Sequence, residues 1–178
     1  MTYWDHNATT PCHPEVVQAM TPYFGETFAN PDSPHAAGRL AARAVARARE
    51  EIARFMDCQP GELLFTSGAT ESNNLLFLGI LLTPNLERRR IVVSAIEHKS
   101  VLEPARLLAE HGFEVVKLPV TRQGVVDLND AKSLITEATL LVSVQAANNE
   151  IGTLQPVNEL AHLAHAQGAF FHCDAAQI

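Results

Sequence analysis

In ELLFTSGATESNN, residues 62–74, a short apolar run leads through small residues into a polar segment. The apolar run Leu63 to Phe65 predicts a β-strand, and the small residues of Thr66 to Gly68 predict a turn after that strand. The polar residues from Thr70 onward open an apolar segment, Leu75 to Leu82, which predicts a buried helix. Because the start of a helix has unpaired N–H groups, the stretch indicates either a phosphate site or an ordinary capped turn.

Further predicted strands and helices alternate along the rest of the chain. Between the strands, helices are predicted at Lys99 to Glu110, after Asp127, and at Asn158 to Gln167. Apolar runs predict four strands, at Arg90 to Ile96, Phe113 to Leu118, Thr139 to Gln145 and Ala169 to Asp174. This pattern predicts an α/β fold with a mainly parallel sheet and helices on both of its faces.

The residues before the opening stretch predict an arm and two helices. Residues 1–12 are rich in polar and turn-forming types and predict an extended arm. A short helix is predicted at His13 to Tyr23, with Pro14 in its first turn. The clearest helical periodicity lies in Gly38 to Met56, whose apolar face consists of Leu40, Val45, Ala48, Ile52 and Phe55 or Met56.

The composition excludes several classes of protein. Apolar residues make up 47% and charged residues 19% of the 178 positions, as in an ordinary globular domain. The net charge of −7 argues against nucleic-acid binding, and the one cationic run, Arg88 to Arg90, predicts a solvated loop. Neither a membrane span nor a signal peptide is visible, and three widely spaced cysteines argue against a disulfide framework. We therefore expect a cytoplasmic protein with no nucleic-acid or membrane partner.

Polar residues collect directly after four of the predicted strands, at Ser67 to Thr70, Glu97 to Lys99, Gln145 to Glu150 and Asp174 to Gln177. If the strands are parallel, these residues share the edge of the sheet where ligands bind in α/β folds. A helix N-terminus, an imidazole, amides and a carboxylate together fit a phosphorylated aromatic cofactor with a basic ring nitrogen. A carboxylate at ~4 Å from that protonated nitrogen is worth roughly 4 kcal/mol at an effective dielectric near 20. Such a protonated ring is the electron sink of pyridoxal phosphate chemistry.

The same motifs resemble a known family. The sequence is similar, in order and along its whole length, to the NifS/IscS-type cysteine desulfurases, which are class V aminotransferase-like enzymes dependent on pyridoxal 5'-phosphate. The resemblance implies the large domain of fold-type I transferases. The matching stretches are residues 5–11, 30–35, 66–74, 97–100, 148–152 and 174–177.

The resemblance implies a role for each matched site residue. Ala69 and Thr70 bind the cofactor phosphate, and His98 stacks on the ring and acts as acid and base on the substrate. Asp174 pairs with the ring nitrogen, and Gln177 bonds the phenolic oxygen of the ring. Asn149 reaches that oxygen or the substrate carboxylate.

The family chemistry implies further partners. The implied reaction converts L-cysteine to alanine and leaves a persulfide on an enzyme cysteine. Its sulfur goes to iron–sulfur cluster or thio-cofactor assembly through an acceptor scaffold protein, and the full-length enzyme forms a homodimer.

The sequence departs from the family at the residue that bonds covalently to the cofactor. In the family a lysine follows the Asp-Ala-Ala-Gln motif in a Ser-x-His-Lys context, and Lys99, Lys117 and Lys132 do not match it. The persulfide-forming cysteine and the smaller C-terminal domain have no counterpart either. We therefore expect residues 1–178 to be an incomplete large domain, truncated and inactive by itself.

Several alternatives remain open from the residues alone. A selenocysteine lyase or another class V enzyme, a non-catalytic binding module and one half of a split enzyme share the same motifs. Ordinary structural roles also explain three of these residues: His98 as a loop residue, Asp174 as a helix cap and Asn149 as a turn residue. His162, His165 and His172 with Cys173 are better explained by a helix surface and a strand than by a metal, so no metal site is expected. Neither GxGxxG nor the Walker A pattern occurs, which argues against dinucleotide or nucleoside-triphosphate binding.

Overall fold

The computed structural model describes residues 2–178, which form two compact units, residues 2–65 and Thr66–Ile178. The first unit is helical. It contains α1 (Pro14–Met20), α2 (Pro22–Gly25), α3 (Ala36–Phe55) and a 3-10 turn at Pro60–Glu62. The single helix predicted at His13 to Tyr23 is therefore divided at Thr21, where Pro22 has no N–H to continue the hydrogen-bond ladder.

One prediction for this first unit is wrong, namely the strand at Leu63 to Phe65. Leu63 has extended backbone angles, but residues 63–65 pair with no strand in the described part of the chain, and the Leu63 carbonyl accepts a hydrogen bond from Arg49. The apolar face predicted for α3 is exposed, with Phe55 88% accessible, whereas Gly38, Ala41 and Ala53 are buried. Sequence periodicity identifies an apolar face, but it does not identify a covering element.

The second unit is an α/β unit built around one parallel sheet. Its elements in chain order are α4 (Ala69–Leu82), β1 (Arg90–Ser94), α5 (Lys99–Glu110), β2 (Glu114–Leu118), α6 (Leu128–Leu134), β3 (Thr139–Ser143), α7 (Val157–Ala166) and β4 (Phe170–His172). The strand order is β2-β1-β3-β4, and every neighbouring pair is parallel. The predicted fold class and the predicted alternation of strands and helices are confirmed.

The core lies on both faces of the sheet. Successive residues of β1 point to opposite faces, so that Val92 packs in one cluster while Ile91 and Val93 pack in the other. Leu160 of α7 belongs to the Val92 cluster, and Phe77 of α4 belongs to the second. This two-sided burial explains why the strands are continuous apolar runs.

Two further expectations are corrected in the second unit. The helix predicted as buried at Leu75 to Leu82 is α4, but within it only Asn73 and Phe77 are buried, and Leu82 is 79% exposed. Arg88 does not lie in a solvated loop. Its Nη1 atom donates to the carbonyl oxygens of Thr139, Gln167 and Gly168, at 3.3, 2.9 and 2.8 Å.

The described helices do not include a membrane-spanning candidate. No helix within residues 2–178 has both the length and the apolar character that a bilayer crossing requires.

Candidate functional site

Three chain segments that leave the sheet are held together at the carboxyl end of the strands. Main-chain hydrogen bonds continue past the last paired residues, from Val144 N–H to the His172 carbonyl at 3.0 Å and from Ala146 N–H to the Asp174 carbonyl at 2.8 Å. The Ala95 N–H likewise donates to the Leu118 carbonyl at 3.0 Å. The residues that follow β1, β3 and β4 therefore stay at one edge of the sheet, as the parallel order predicts.

The side chain of Asn73 joins two of the predicted site residues. It is 2% exposed and lies in the second turn of α4. Its Nδ2 atom donates to the Ser100 hydroxyl at 2.9 Å and to Asp174 Oδ2 at 2.8 Å. The same Ser100 hydroxyl lies 2.7 Å from His98 Nδ1. We call the four side chains His98, Ser100, Asn73 and Asp174 the Asn73 network; it places His98 and Asp174 at the same end of the sheet.

His98 is oriented by the start of α5. Its backbone is extended, and its Nδ1 atom accepts a hydrogen bond from the Ser100 N–H at 3.1 Å, so the imidazole caps the helix. Because Nδ1 acts as an acceptor there, the proton of the neutral ring belongs on Nε2. The exposed imidazole therefore has a fixed position and a defined proton-bearing nitrogen.

The turn into α4 has the geometry of an anion site. Gly68 has φ +157° and ψ 178°, a combination that glycine adopts and other residues avoid. The first main-chain bond of the helix runs from Ser72 N–H to the Gly68 carbonyl at 3.1 Å. The amides of the first turn, including those of Ala69 and Thr70, have no acceptor within a helix and point beyond its start. Both residues are exposed.

Glu71 interacts with the residue on the other side of the same turn. Its Oε2 atom accepts from the Ser67 N–H at 2.7 Å and from the Ser67 hydroxyl at 2.6 Å. These two bonds lower the pKa of the exposed Glu71 carboxyl, the side-chain bond contributing most. The contact stabilises the turn at Gly68 but leaves the Ala69 and Thr70 amides available.

The Asp174 carboxylate is held by two donors. Oδ2 accepts from Asn73, as described, and Oδ1 accepts from the Ala176 N–H at 3.0 Å. Both bonds fix the direction of the carboxylate while its side chain remains partly accessible. It can therefore present one negative charge to a ligand at this edge of the sheet.

Two predicted site residues lie in the loops that leave this edge. The turn after β3 is organised by buried Asn148, whose Oδ1 accepts from the Glu150 and Ile151 N–H groups at 2.9 and 3.0 Å. Asn149 is half-buried on that turn, and its amide donates to Glu150 Oε1 at 2.9 Å. Gln177 is exposed, three positions beyond Asp174. The roles of Asn149 and Gln177 stay predictions.

Sequence reasoning missed the contributions of Asn73, Ser100 and Glu97. Asn73 lies four positions before Phe77, and both are buried on one face of α4. A polar residue on the buried face of a helix was therefore the sequence signal that could have identified Asn73. Glu97 is 5% exposed, and burial raises its pKa to about 8, with the nearby Asp174 charge adding to the effect. Nothing in the local sequence distinguishes this buried acid from a loop residue.

The histidines weighed as metal ligands have other partners in the structure. The Nδ1 atom of His172 lies 2.8 Å from the Ser143 hydroxyl, and burial lowers the pKa of the imidazole although the Asp174 charge opposes that effect. His162 is exposed, and its Nδ1 atom lies 2.7 Å from the Asn158 carbonyl in its own helix. Within the described residues, no group of three or more His, Cys, Asp or Glu side chains is arranged to bind a metal.

Comparison with known proteins identifies the family. The model of the family described as aminotransferase class-V matches residues 2–178. The chain belongs to the class-V aminotransferase family. Membership of this family implies pyridoxal phosphate as cofactor.

Cysteine desulfurases and NifS-like proteins are among the relatives that this chain resembles. Cysteine desulfurase IscS of Dictyoglomus turgidum is 43% identical over 175 residues, which are 98% of this chain and 44% of that protein. A solved structure described as a NifS-like protein has a TM-score of 0.94 and 39% identity, covering 99% of this chain and 49% of that one. A structure of SspA in complex with cysteine has a TM-score of 0.93 and 36% identity, with coverages of 99% and 51%. The chain thus spans about half the length of these relatives.

Proposed function

We propose that this chain supplies the cofactor-binding part of a pyridoxal-phosphate-dependent cysteine desulfurase. The observation that supports the proposal most directly is the Asn73 network, because it joins an imidazole and a carboxylate to the helix whose N-terminus would bind the phosphate. The similarity to IscS and to the cysteine complex of SspA favours L-cysteine over selenocysteine as substrate, and an enzyme over a non-catalytic module.

The residues of the site fit the cofactor. The turn at Gly68 has no side chain to block a phosphate, and the first-turn amides of Ala69 and Thr70 with the Thr70 hydroxyl provide donors. Asp174, oriented by Asn73, provides the negative charge that a protonated ring nitrogen requires. When bound there, pyridoxal phosphate supplies the electron sink for breaking bonds to the substrate.

His98 is the proposed acid and base. Its Nδ1 atom accepts a hydrogen bond from the Ser100 N–H, so Nε2 is the atom that would hold or release a proton next to the substrate. Asn149 is proposed to bind the phenolic oxygen of the cofactor or the substrate carboxylate, and Gln177 to bind the phenolic oxygen. We assign residues 1–178 to the large, cofactor-binding domain.

The partners of the whole protein follow from the same proposal. L-Cysteine would yield L-alanine, and its sulfur would pass to an enzyme thiolate and then to an acceptor scaffold for iron–sulfur cluster assembly. The full-length protein would act as a cytoplasmic homodimer, as proposed for a desulfurase of this family.

Pyridoxal phosphate titration, followed by the change in cofactor absorbance, tests the site. We expect Asp174→Asn and Thr70→Ala to weaken binding by about tenfold or more, since each removes a charge-assisted contact worth roughly 1.5–3 kcal/mol. Thr83→Ala at the other end of α4 and Asp130→Asn on the surface of α6 are the controls, and we expect them to bind like the wild type. Equal binding by all four variants would refute the proposed site.

A further inference from the structure

Glu97 is a buried acid to which the proposed chemistry gives no role. It belongs to the segment that follows β1, directly before His98, and its side chain reaches the segment that follows β3. Its Oε1 atom accepts a hydrogen bond from the Gln145 N–H at 2.8 Å. The Gln145 side chain returns across the same gap, and its Nε2 atom donates to the Ile96 carbonyl at 2.7 Å. These two bonds connect the ends of β1 and β3.

The second oxygen of Glu97 favours the protonated acid. Oε2 is buried and has no hydrogen-bond partner within residues 2–178. The Ser94 hydroxyl lies close enough to oppose the shift in the Glu97 pKa, but it does not reach hydrogen-bonding geometry with Oε2. An ionised carboxylate would leave this oxygen charged, unsolvated and without a donor, which is costly in a protein interior. Burial accordingly raises the Glu97 pKa to about 8.

The charges that face Glu97 act in the same direction. Asp174 raises the Glu97 pKa by repulsion, and Cys173 is close enough that Glu97 and Asp174 both raise the pKa of its thiol, after the larger effect of burial. From β1 and β3 the neighbours are Ser94 and Gln145, which have no charge. No described cation offsets the negative charge of an ionised Glu97.

We propose that Glu97 is a positioning residue that works as a neutral carboxylic acid, joining the ends of β1 and β3 through the Gln145 amide. In this form it leaves Asp174 to present the negative charge of the site. This inference depends on the proposed function only for the identity of the ligand that Asp174 faces. For the proposed cofactor, one ionised carboxylate balances the charge of one protonated ring nitrogen.

The proton on Glu97 has a defined effect on stability. Since the folded pKa of about 8 lies above the ordinary value of 4.5, the folded chain keeps a proton that the unfolded chain has lost. The stabilising contribution is therefore complete below pH 4.5, decreases as the pH rises from 4.5 to about 8, and does not change further above that. A glutamine at this position is neutral at every pH and keeps an acceptor for the Gln145 N–H.

Urea unfolding at several pH values tests the protonation. We expect the ratio of the unfolding equilibrium constant of Glu97→Gln to that of the wild type to fall by at least about tenfold as the pH rises from about 5 to about 9. The matched control is Glu137→Gln, which removes an exposed carboxyl from the same unit, and we expect its difference from the wild type to change little with pH. A pH-independent effect of Glu97→Gln would overturn the proposal.

Hydrogen exchange of the Gln145 amide tests the positioning. At about pH 6 we expect Glu97→Gln to keep the wild-type protection and Glu97→Ala to exchange about tenfold faster, because alanine removes the acceptor. Wild-type protection in Glu97→Ala would also overturn the proposal. If Glu97→Ala does not fold, the pH dependence of unfolding measured for Glu97→Gln decides the question. Both measurements omit the cofactor, so they can succeed even if pyridoxal phosphate binding fails.

Discussion

At the scale of the residue, the site depends on one buried amide. Asn73 uses both hydrogens of its amide nitrogen, one for Ser100 and one for Asp174. Its neighbour Asn74 has the same side chain, but its amide donates to the Thr70 carbonyl on the surface of the same helix. Asn73 thus joins distant segments of the chain, whereas Asn74 forms a contact within one helix.

Replacing Asn73 by alanine tests that separation. We expect Asn73→Ala to lower the free energy of unfolding by roughly 2 kcal/mol, because the buried Ser100 and the half-buried Asp174 each lose a donor. Asn74→Ala should change it by less than about 0.5 kcal/mol, since alanine favours the helix and only a surface bond is lost. Urea denaturation measures both values, and similar losses in the two variants would contradict the assigned role of Asn73.

At the scale of the element, Arg88 secures the end of the sheet opposite the site. Its guanidinium donates to the carbonyls of Gln167 and Gly168, which follow α7, and to that of Thr139, the first residue of β3. Carbonyl groups at a helix C-terminus have no partner within the helix, so a cation there satisfies them and interacts favourably with the helix dipole.

Truncating Arg88 should therefore destabilise the unit. We expect Arg88→Ala to lower the free energy of unfolding by about 2–3 kcal/mol, as for the loss of hydrogen bonds to a charged donor. The control is Arg122→Ala, which removes an exposed arginine from a loop of the same unit. Chemical denaturation gives the two values, and an unchanged midpoint for Arg88→Ala would show that water replaces its contacts at no cost.

At the scale of the whole molecule, two titratable groups, the buried Glu97 and the half-buried His172, give stability an opposing dependence on pH. The raised pKa of Glu97 makes stability decrease as the pH rises from 4.5 to about 8. Burial lowers the pKa of His172 from its ordinary value of 6.5, so its contribution is complete above pH 6.5 and is lost as the pH falls through the folded value. The global stability profile combines these two slopes.

Replacing His172 tests its contribution to the loss of stability as the pH falls below 6.5. We expect His172→Gln to lose less stability than the wild type as the pH falls below 6.5, because glutamine does not bind a proton that the buried site disfavours. His162→Gln, which removes an exposed imidazole from α7, should keep the wild-type slope. Unfolding midpoints measured across this range compare the slopes, and parallel profiles for the wild type and His172→Gln would contradict the assignment.

Several features of this protein were decided by the sequence alone. Continuous apolar runs and the helical segments between them determined the α/β class, and α5 begins and ends at the predicted residues Lys99 and Glu110. Parallel strands also implied that the residues following them share one edge, and the Asn73 network brings His98 and Asp174 together there. These inferences succeed because hydrophobic periodicity and turn chemistry are local properties of the chain.

Which side chains meet and which stay exposed depends on the packing of distant segments. Asn73 and Asp174 are 101 positions apart, and no local pattern specifies that contact. The burial of Glu97, the three carbonyl partners of Arg88 and the absence of a partner strand for residues 63–65 within the described chain likewise depend on distant segments. The physical reason is that burial and hydrogen-bond partners are properties of the packed chain, whereas propensity and periodicity belong to its neighbouring residues.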